Sequence, residues 1–436
     1  MAKAKTSDKK LEKEPKEASK KAEKPEVKSA LPNFREAVKK LLEKDPEEIP
    51  IINLVDGMVS DAFQSRASDI HMDPGEKTMD IRFRVDGILH DIYVFPNAIQ
   101  SEVITRIKVL SGLRTDEHQA AQDGRFRLKV GDTNVDVRVS IAPTYYGENG
   151  VLRLLAEKSE AYTLEDLGYK GANLAKILRN IKKPYGMILA TGPTGSGKTT
   201  SLYTILRMLN TKEVSIITIE DPVEYAIEGI EQIQVNSRTG VTFAGGLRSI
   251  LRQDPNIVMV GEIRDEETAG IAVNAALTGH LLLSTLHTND APTTLPRLLD
   301  MGIEPFLIAS TVNVAVGQRL VRKICDKCKA EKEITADELK SLGAVVPPKL
   351  LAGRKKFYYG KGCDSCDQSG YRGRIGIYEV LEIDDLIRAA LMRNADASEI
   401  KRIAIQSGMT TMVEDGFEKA MEGVTTIQEI LRVIHE

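Results

Sequence analysis

Several features that would assign the chain to a class of protein are missing from its sequence. It contains no tryptophan, and its four cysteines all fall into two C-x-x-C pairs. This usage suits a reducing compartment and a metal site better than a disulfide framework. No apolar run approaches the roughly 20 residues of a membrane-spanning helix, and the longest, FLIASTVNVAVG, is interrupted by polar residues. Because the N-terminus also lacks the apolar segment of a signal peptide, we expect a cytoplasmic protein.

A strong charge imbalance is also missing, since 60 basic residues are matched by 63 acidic ones and the formal net charge is −3. Nothing in the overall charge argues for nucleic acid. With 42% apolar and 28% charged residues, the 436-residue chain has the composition of a globular protein of two or three domains. The first 30 residues are different, with ten Lys, six acidic residues and almost no large apolar side chains. This composition predicts a disordered basic tail. The tail is either a solvated spacer or a segment that is weakly attracted to an anionic membrane surface or an acidic partner.

Hydrophobic patterning divides the remaining chain into two folded domains. Apolar residues recur at helical spacing from Ile51 to Phe63, and the segments MDIRFRVDGILHDIYVF and GRFRLKVGDTNVDVRVSIAP alternate as strands do. From Pro184 onward, the short apolar runs GMILATG, VSIITIED, NIVMVGE and HLLLSTLH alternate with helical stretches, which predicts a parallel α/β sheet. We expect a basic tail with a short helix over residues 1–45, an α+β domain over 46–158 and an α/β domain over 159–436.

The segment ATGPTGSGKTTS carries the most specific motif. It follows the strand GMILAT and opens the helix TTSLYTILRML, which is the context that a phosphate-binding P-loop requires. Its glycines let backbone N–H groups surround a phosphate, Lys198 reaches the β- and γ-oxygens of ATP, and Thr199 ligates Mg²⁺. The predicted ATP-binding residues of this loop are Gly192, Pro193, Thr194, Gly195, Ser196, Gly197, Lys198, Thr199 and Thr200.

Carboxylates follow two other predicted strands. VSIITIEDPVEY ends in Glu220, Asp221 and Glu224, and NIVMVGEIRD ends in Glu262, with Gly261 where many P-loop proteins carry Asp. Because open α/β sheets bind ligands at the carboxyl ends of their strands, we expect these groups to converge on one γ-phosphate. A helix cap or a surface charge is the plainer explanation for any one carboxylate taken alone.

Two histidines flank the strand in TGHLLLSTLHTND. His280 is a candidate nucleotide-binding residue and His287 a candidate catalytic one, because a neutral imidazole beside a γ-phosphate can sense its presence or loss. They lie seven positions apart, so strand alternation puts them on opposite faces and leaves room for only one at the nucleotide.

The four cysteines, Cys325, Cys328, Cys363 and Cys366, form two knuckles beside turn-forming residues. Four thiolates can surround Zn²⁺ tetrahedrally at about 2.3 Å, and a site with no open position is structural. We place this zinc module at residues 322–376, with free thiols or a redox pair as the alternative. The neighbouring GRKKFYYGKG combines basic and aromatic residues, which fits a nucleic-acid contact or the edge of a β-ribbon equally well.

Taken in order, TGPTGSGKTTS, TIEDPVEY, GLRSILRQDPNIVMVGEIRD and TGHLLLSTLHTNDA resemble the Walker A, Asp box, Walker B and His box of the secretion superfamily ATPases. Within that superfamily the chain resembles the type II secretion and type IV pilus assembly ATPases from about Ile51 to its end. The segments ASDIHMDP, RFRVDG, QDGR, VDVRVS and VLRLL resemble their second N-terminal domain. The resemblance implies a RecA-like P-loop motor domain with an inserted tetracysteine zinc module, preceded by a smaller α+β (PAS-like) domain.

The resemblance also implies roles for individual residues. Glu262 matches the Walker B glutamate and Glu220 that of the Asp box; one would orient water and the other Mg²⁺, and the sequence does not say which. The arginines implied near the nucleotide are Arg138, Arg153, Arg248, Arg252, Arg264 and Arg297. An arginine from another domain or subunit would stabilise the charge on the γ-phosphoryl oxygens, whereas a surface salt bridge explains any single one as well.

At the level of function, the resemblance implies a homohexameric ATP hydrolase at the inner face of the cytoplasmic membrane. It would power pilin or pseudopilin assembly in a type IV pilus or type II secretion system, with an inner-membrane platform protein as partner and no nucleic acid. The zinc module favours assembly or secretion over retraction. The family's usual first N-terminal domain is replaced by the tail and LPNFREAVKKLLEK, which puts recruitment by that domain in doubt, and Asn149 stands where the family commonly has Arg.

Two hypotheses from other classes remain open. A nucleic-acid translocase or helicase with a RecA-like fold would share the P-loop, but the motor domain has no net basic charge to support it. A nucleotide-dependent scaffold without catalysis would not need Lys198, Thr199 and Glu262 together.

Overall fold

The computed structural model describes residues 33–156, 162–333 and 356–435, so the predicted basic tail over the first 30 residues lies outside the described part. Buried apolar side chains form one core between Val38 and Leu154 and further cores at and beyond Leu164. The chain therefore folds into two domains. None of the helices in the described ranges has the length and hydropathy that a bilayer span requires.

The N-terminal domain is an antiparallel sheet covered by helices. Its elements are α1 (Phe34–Leu42), α2 (Ile51–Gln64), β1 (Ala67–Pro74), β2 (Thr78–Val85), β3 (Ile88–Pro96), α3 (Gln100–Ser111), β4 (Gln122–Val130), β5 (Thr133–Thr144) and β6 (Gly147–Ala156). The six strands are arranged in the order β3-β2-β1-β6-β5-β4. Alternate residues of β5, such as Val135, Val137 and Val139, are buried against α2 and α3, while the residues between them lie on the other face. The predicted α+β architecture is confirmed.

Helix α1, which was expected with the tail over residues 1–45, packs against helix α2 of this domain. Val38 of α1 is fully buried. It packs so closely on Gly57 of α2 that a Cβ atom added to Gly57 would lie 2.9 Å from Val38 Cγ2. Arg35 Nε donates a hydrogen bond to Asp61 Oδ2 of α2 at 3.2 Å. The expected short helix is present as Phe34–Leu42, but its sequence does not reveal the partner against which it packs.

The C-terminal domain is an α/β sheet domain. Before the cysteine pairs its elements are α4 (Leu164–Leu167), α5 (Gly171–Asn180), β7 (Gly186–Thr191), α6 (Lys198–Leu209), β8 (Ile216–Glu220), β9 (Glu231–Gln234), α7 (Phe243–Ile250), β10 (Ile257–Val260), α8 (Glu266–Leu277), β11 (Leu281–Leu286), α9 (Thr294–Asp300) and α10 (Pro305–Thr311). The later elements are β12 (Val312–Ile324), β13 (Lys329–Glu333), β14 (Lys356–Gly360), β15 (Tyr371–Glu382), α11 (Asp385–Met392), α12 (Ala397–Gln406), α13 (Met412–Met421) and α14 (Ile427–His435).

The main sheet of this domain has the strand order β15-β12-β7-β11-β10-β8-β9, in which only the edge strand β15 runs antiparallel to its neighbour. Every residue of β7, β8, β10 and β11 is buried, because helices cover both faces of the sheet. The parallel α/β sheet predicted from the apolar runs is confirmed. The run FLIASTVNVAVG is divided between the end of α10 and the start of the buried strand β12.

Candidate functional site

The phosphate loop lies between the end of β7 and the first turn of α6. Gly192 has a φ of 145°, and a Cβ there would lie 2.4 Å from the carbonyl oxygen of Gln318 on β12, so only glycine fits. Lys198 Nζ donates hydrogen bonds to Gly192 O at 2.8 Å and Pro193 O at 3.0 Å. Burial lowers the pKa of Lys198, and the nearby Glu262 carboxylate opposes that shift. The loop thus presents backbone N–H groups and an ammonium group at one helix N-terminus, as anion binding requires.

A buried amide from β12 fixes the shape of the loop. Gln318 Nε2 donates to Ser196 O at 2.7 Å, and its Oε1 accepts from Ser201 Oγ of α6 at 3.0 Å. Gln318 is fully buried, so both ends of the amide are used within the protein. The sequence does not reveal this role of Gln318, because a glutamine inside a long strand belongs to no motif.

Glu262 lies directly beyond β10 and faces the same loop. Its Oε2 pairs with His287 Nε2 at 2.9 Å, and its Oε1 forms an ion pair with Arg264. Burial raises the pKa of Glu262, but the hydrogen bonds from Arg264 and His287 outweigh it, and the net pKa lies below its usual range. The carboxylate is therefore ionised and held by two side chains that are themselves more than half exposed.

Glu220, at the end of β8, has a different environment. It is 2% exposed and accepts hydrogen bonds from Tyr203, from Thr218 Oγ1 at 2.6 Å and from Gln232 Nε2 at 3.2 Å. Burial beside this carboxylate raises the pKa of the Tyr203 hydroxyl well above its usual range, so the phenol remains a donor. Glu220 is thus surrounded by neutral donors from within its own domain.

The cleft above the loop has a volume of about 930 Å³ and is lined by both domains. From the N-terminal domain, Asp69, Arg84 and Arg153 reach it. Asp69 holds the two arginines, with Oδ1 accepting from Arg153 Nε at 2.9 Å and Oδ2 lying 3.6 Å from Arg84 Nε. From the motor domain it is lined by most of the residues that the sequence predicted, namely Pro193, Thr194, Gly195, Ser196, Gly197, Lys198, Thr199, Thr200, Glu220, Asp221, Glu224, Glu262, Arg264 and His287. Gly192 lies buried at the base of the loop.

His280, predicted to border the nucleotide, does not line the cleft of its own chain. His280 precedes β11, where its Nδ1 lies 2.9 Å from Ala275 O and its carbonyl accepts from Gly186 N at the start of β7. His287 follows the other end of β11, beside Glu262. Six strand residues separate the two ends by about 20 Å. The cleft of this chain therefore contains one histidine of the pair, and the distance along the strand, not the face, decides which one.

Several predicted arginines lie outside this cleft. Arg138 Nη2 donates to Val223 O at 2.9 Å and its Nη1 lies 3.1 Å from Glu224 Oε2, so it joins the domains without lining the cleft. Arg248 pairs with Glu267 at 2.6 Å, Arg252 bonds Arg248 O and Ser249 Oγ, and Arg297 is exposed on α9. Within their own chain, these four residues do not contact the loop.

Four other arginines line the cleft and were missed: Arg84, Arg319, Arg374 and Arg432. Arg84 stands in RFRVDG, a segment already noted for its resemblance, so its position before a D-G turn was an available signal. Arg319 and Arg374 lie on β12 and β15, and Arg432 lies on α14. Asn149, noted as a departure from the family, donates to Asp73 Oδ1 at 2.9 Å within the N-terminal domain.

The four cysteine side chains meet between the end of β12, the ribbon of β13 and β14, and the start of β15. Their sulfur atoms all lie within 4.8 Å of one another. Cys325 Sγ is 3.8 Å from Cys363 Sγ, Cys328 Sγ is 3.8 Å from Cys366 Sγ, and the two sulfurs of the second pair are 3.7 Å apart. Four ligands at 2.3 Å around one tetrahedral Zn²⁺ are separated by about 3.8 Å. Backbone N–H groups of Cys363 and Gly370 also point at Cys366 Sγ, each at 3.3 Å. The donor set and its spacing therefore fit zinc. Residues 334–355 of the predicted module lie outside the described ranges.

Comparison with known proteins assigns the chain to a family. The protein-family model described as Type II/IV secretion system protein matches residues 43–432 of this chain. The chain belongs to this family. The type IV pilus assembly ATPase PilB of Myxococcus xanthus is 45% identical over 389 residues, which are 89% of this chain and 68% of that protein. The type II secretion system protein E of Aeromonas hydrophila is 46% identical over 396 residues, or 91% of this chain and 78% of that one.

A solved structure supports the fold independently. The X-ray structure of the Legionella pneumophila ATPase DotB matches with a TM-score of 0.65 and 22% identity, over 90% of this chain and 98% of that chain. The resemblance to secretion and pilus ATPases is confirmed, as is the predicted fold of a P-loop motor domain preceded by an α+β domain. The roles of individual residues in this member of the Type II/IV secretion system family remain predictions.

Proposed function

We propose that the protein is an ATP-hydrolysing motor that powers pilin or pseudopilin assembly in a type IV pilus or type II secretion machine. The observation that carries this proposal is one cleft in which Lys198 of a complete P-loop and an ionised Glu262 face arginines from a second domain. The chain's family and the names of its relatives, a pilus assembly ATPase and a type II secretion protein, support the same function.

In this proposal the loop binds the nucleotide through its phosphates. The N–H groups at the start of α6 and the Lys198 ammonium would bind the phosphates, and Thr199 would hold a Mg²⁺ ion that neutralises phosphate charge. Arg153 and Arg84 lie on the opposite wall, on a different domain. Contact between these guanidinium groups and the γ-phosphate would couple nucleotide state to the closure of the two domains.

The surroundings of the two glutamates favour different roles. Glu262 orients the attacking water. Its partners Arg264 and His287 are exposed, so either can break its contact with a Glu262 carboxylate oxygen without disrupting the core, and that oxygen can then accept from water. Glu220 accepts hydrogen bonds from the buried Tyr203 and Thr218 and from the half-buried Gln232, so turning it toward water would leave buried polar groups unsatisfied. We therefore infer that Glu220 acts indirectly. It would hold the wall of the cleft in shape and position the water shell of a bound Mg²⁺.

The remaining parts of the machine are proposed by analogy with the family. Zn²⁺ held by the four cysteines would be structural, since all four coordination positions are filled by sulfur. Arg248, Arg252 and Arg297 lie outside the cleft of their own chain, so their contact with nucleotide requires a neighbouring subunit, as in a homohexamer. Such a ring would act at the inner face of the cytoplasmic membrane on an inner-membrane platform protein.

The test is ATP turnover of the purified wild type and a Glu262→Gln variant, with particle mass measured in parallel. We expect turnover per chain to rise as the protein assembles into a six-fold particle. Turnover in the variant should fall by at least about 100-fold, because the water loses its oriented acceptor. Binding of MgADP by the variant should stay within a factor of about 2, since Gln conserves the shape of the side chain.

Two controls make the result specific. Glu224→Gln removes another carboxylate of the cleft, on its rim beside Arg138, and should retain most of the turnover. Wild-type turnover in the Glu262→Gln variant would contradict the role of Glu262. Concentration-independent turnover by a monomer would contradict the ring, and strong stimulation by single-stranded DNA would favour the nucleic-acid translocase.

A further inference from the structure

The C-terminal helix α14 reaches the nucleotide cleft. Val433 is buried against Val321 of β12 and against β15, and Ile430 is buried against α13, so the helix is fixed to the sheet. From this position Arg432 and Val433 line the cleft beside the phosphate loop. Nothing in the sequence motifs points to this helix, which lies far from the P-loop along the chain.

The strand order shows which end of the nucleotide α14 faces. The phosphate loop follows β7, Glu262 follows β10 and His287 follows β11, so the catalytic candidates lie on one side of the loop. On the other side β7 pairs with β12, which contributes Arg319 and Leu320 to the cleft, and α14 packs on β12. If the γ-phosphate meets Glu262, the nucleoside extends toward β12 and α14.

A buried carboxylate holds Arg432 in place. Glu429 Oε1 and Oε2 accept hydrogen bonds from Arg432 Nε at 3.0 Å and from its Nη2 at 2.9 Å. Glu429 is 2% exposed and also accepts from Arg322 Nη2 at 2.6 Å and from the Arg322 backbone N–H at 3.1 Å. Both edges of the carboxylate are thus occupied, and the guanidinium plane of Arg432 is fixed by a fork.

Arg322 connects this pair to the cysteine centre. Its guanidinium lies 4.1 Å from the ring centroid of Tyr371, and the Tyr371 hydroxyl bonds Thr426 Oγ1 at 2.9 Å just before α14. Arg322 stands three residues before Cys325, whose N–H donates to Gly370 O at 3.0 Å, while Gly370 N–H points at Cys366 Sγ. An unbroken series of contacts therefore runs from the sulfur ligands to Arg432.

We propose that Arg432 binds the base of the nucleotide and that Glu429 is the positioning residue through which the zinc module sets nucleotide affinity. The inference rests on the proposed ATPase function. A planar guanidinium stacks on an aromatic base, and Val433 and Leu320 supply apolar contact beside it. The zinc module then has a role inside the motor domain, in addition to any role in contacts with partners.

The test is the dissociation constant of MgADP, measured by calorimetry on the assembled protein. Arg432→Gln should weaken MgADP binding by about tenfold, the loss expected for one desolvated contact between a cation and an aromatic ring. Magnesium pyrophosphate, which has no base, should bind the wild type and the variant equally. A variant that weakens both ligands alike would show that Arg432 acts on phosphate, and unchanged MgADP binding would overturn the proposal entirely.

The role of Glu429 is tested by non-additivity. Glu429→Gln and Arg322→Lys should each weaken MgADP binding by about threefold at full zinc content. Either change added to Arg432→Gln should cause no further loss, because both act through Arg432. Removing zinc with a chelator should weaken MgADP binding by a similar factor in the wild type and by none in the Arg432→Gln variant. Additive losses would show that Glu429 and zinc affect only the general stability of the domain.

Two reference variants separate this inference from the proposed function. On β15, Glu382 accepts two parallel hydrogen bonds from Arg179, a pair comparable to Glu429 and Arg432 but outside the cleft. Glu382→Gln weakens this pair and should leave MgADP binding unchanged. Lys198→Ala should abolish binding if the P-loop holds the nucleotide. If the wild type does not bind MgADP, both proposals fail. If Lys198→Ala abolishes binding while Arg432→Gln does not alter it, only the present inference fails.

Discussion

Buried carboxylates in this protein differ according to the groups that face them. Glu429 is surrounded by two arginines, which outweigh the effect of burial and lower its pKa to about 2. Glu379 on β15 is equally buried, but burial dominates and its pKa is raised, with the backbone N–H of Ala291 donating to it at 2.7 Å. Glu429 is therefore harder to protonate than an ordinary glutamate, whereas Glu379 is easier to protonate.

These opposite shifts predict opposite pH dependences of stability. The folded-state pKa of Glu429 is depressed, so its contribution is present above the unfolded pKa of 4.5 and disappears as pH falls toward 2. The pH-dependent part amounts to about 3 kcal/mol. The stability advantage of the wild type over Glu429→Gln should thus shrink by that amount between pH 4.5 and 2, measured by urea unfolding.

Glu379→Gln is the matched control, because glutamine conserves the acceptor for Ala291 and removes the titration. The folded-state pKa of Glu379 is raised, so the wild type should lose stability relative to this variant as pH rises above the ordinary glutamate range. The same sign of pH dependence for both variants would contradict the opposite directions of these two pKa shifts.

At the scale of elements, local signals were read correctly and contacts between distant elements were not. The P-loop could be predicted because its strand, turn and helix are consecutive and each has its own pattern. The short helix α1 was expected, but its partner α2 was not, since an amphipathic helix does not specify which surface covers it. Arg432 and Arg374 were missed because an arginine on a helix or strand is usually solvated, and only the fold brings these two beside residues 193–200.

The ribbon of β13 and β14 gives an element-scale prediction for the cysteine centre. Only Phe357 is buried among its described strand residues, and two paired strands are marginal without further support. We expect the wild type to hold one zinc ion per chain and Cys363→Ser to lose it. The variant should be destabilised by roughly 4 kcal/mol, measured by denaturant unfolding together with elemental analysis.

Ser365→Ala is the matched control for that change, because it alters the same turn without removing a sulfur ligand. It should keep its zinc and its stability. A wild type without zinc, or a Cys363→Ser variant with wild-type stability, would contradict a structural metal and favour free thiols.

At the scale of the whole molecule, charged contacts join the two domains on either side of the cleft. The Arg138 guanidinium bonds Val223 O and Glu224, while Asp86, in the turn after β2, accepts from Gly373 N at 2.8 Å and lies 3.9 Å from Arg374 Nε. Partly exposed ion pairs of this kind stabilise by about 1 kcal/mol each and weaken with added salt. Because each domain has its own core, closure of the cleft depends on these weak contacts and on bound ligand.

This balance predicts a closure that nucleotide strengthens and salt weakens. The double variant Asp86→Asn, Glu224→Gln removes about 2 kcal/mol of domain contact, so without nucleotide its radius of gyration should exceed that of the wild type in small-angle scattering. MgADP should restore the wild-type value, because a nucleotide on the P-loop also meets Arg84 and Arg153 across the cleft. The control is Arg114→Gln, which removes an exposed ion pair with Asp116 within the N-terminal domain and should leave the radius unchanged. Equal radii of gyration for the wild type and the double variant at all salt concentrations would mean that apolar packing, not charge, holds the domains together. The cleft would then already be closed without nucleotide.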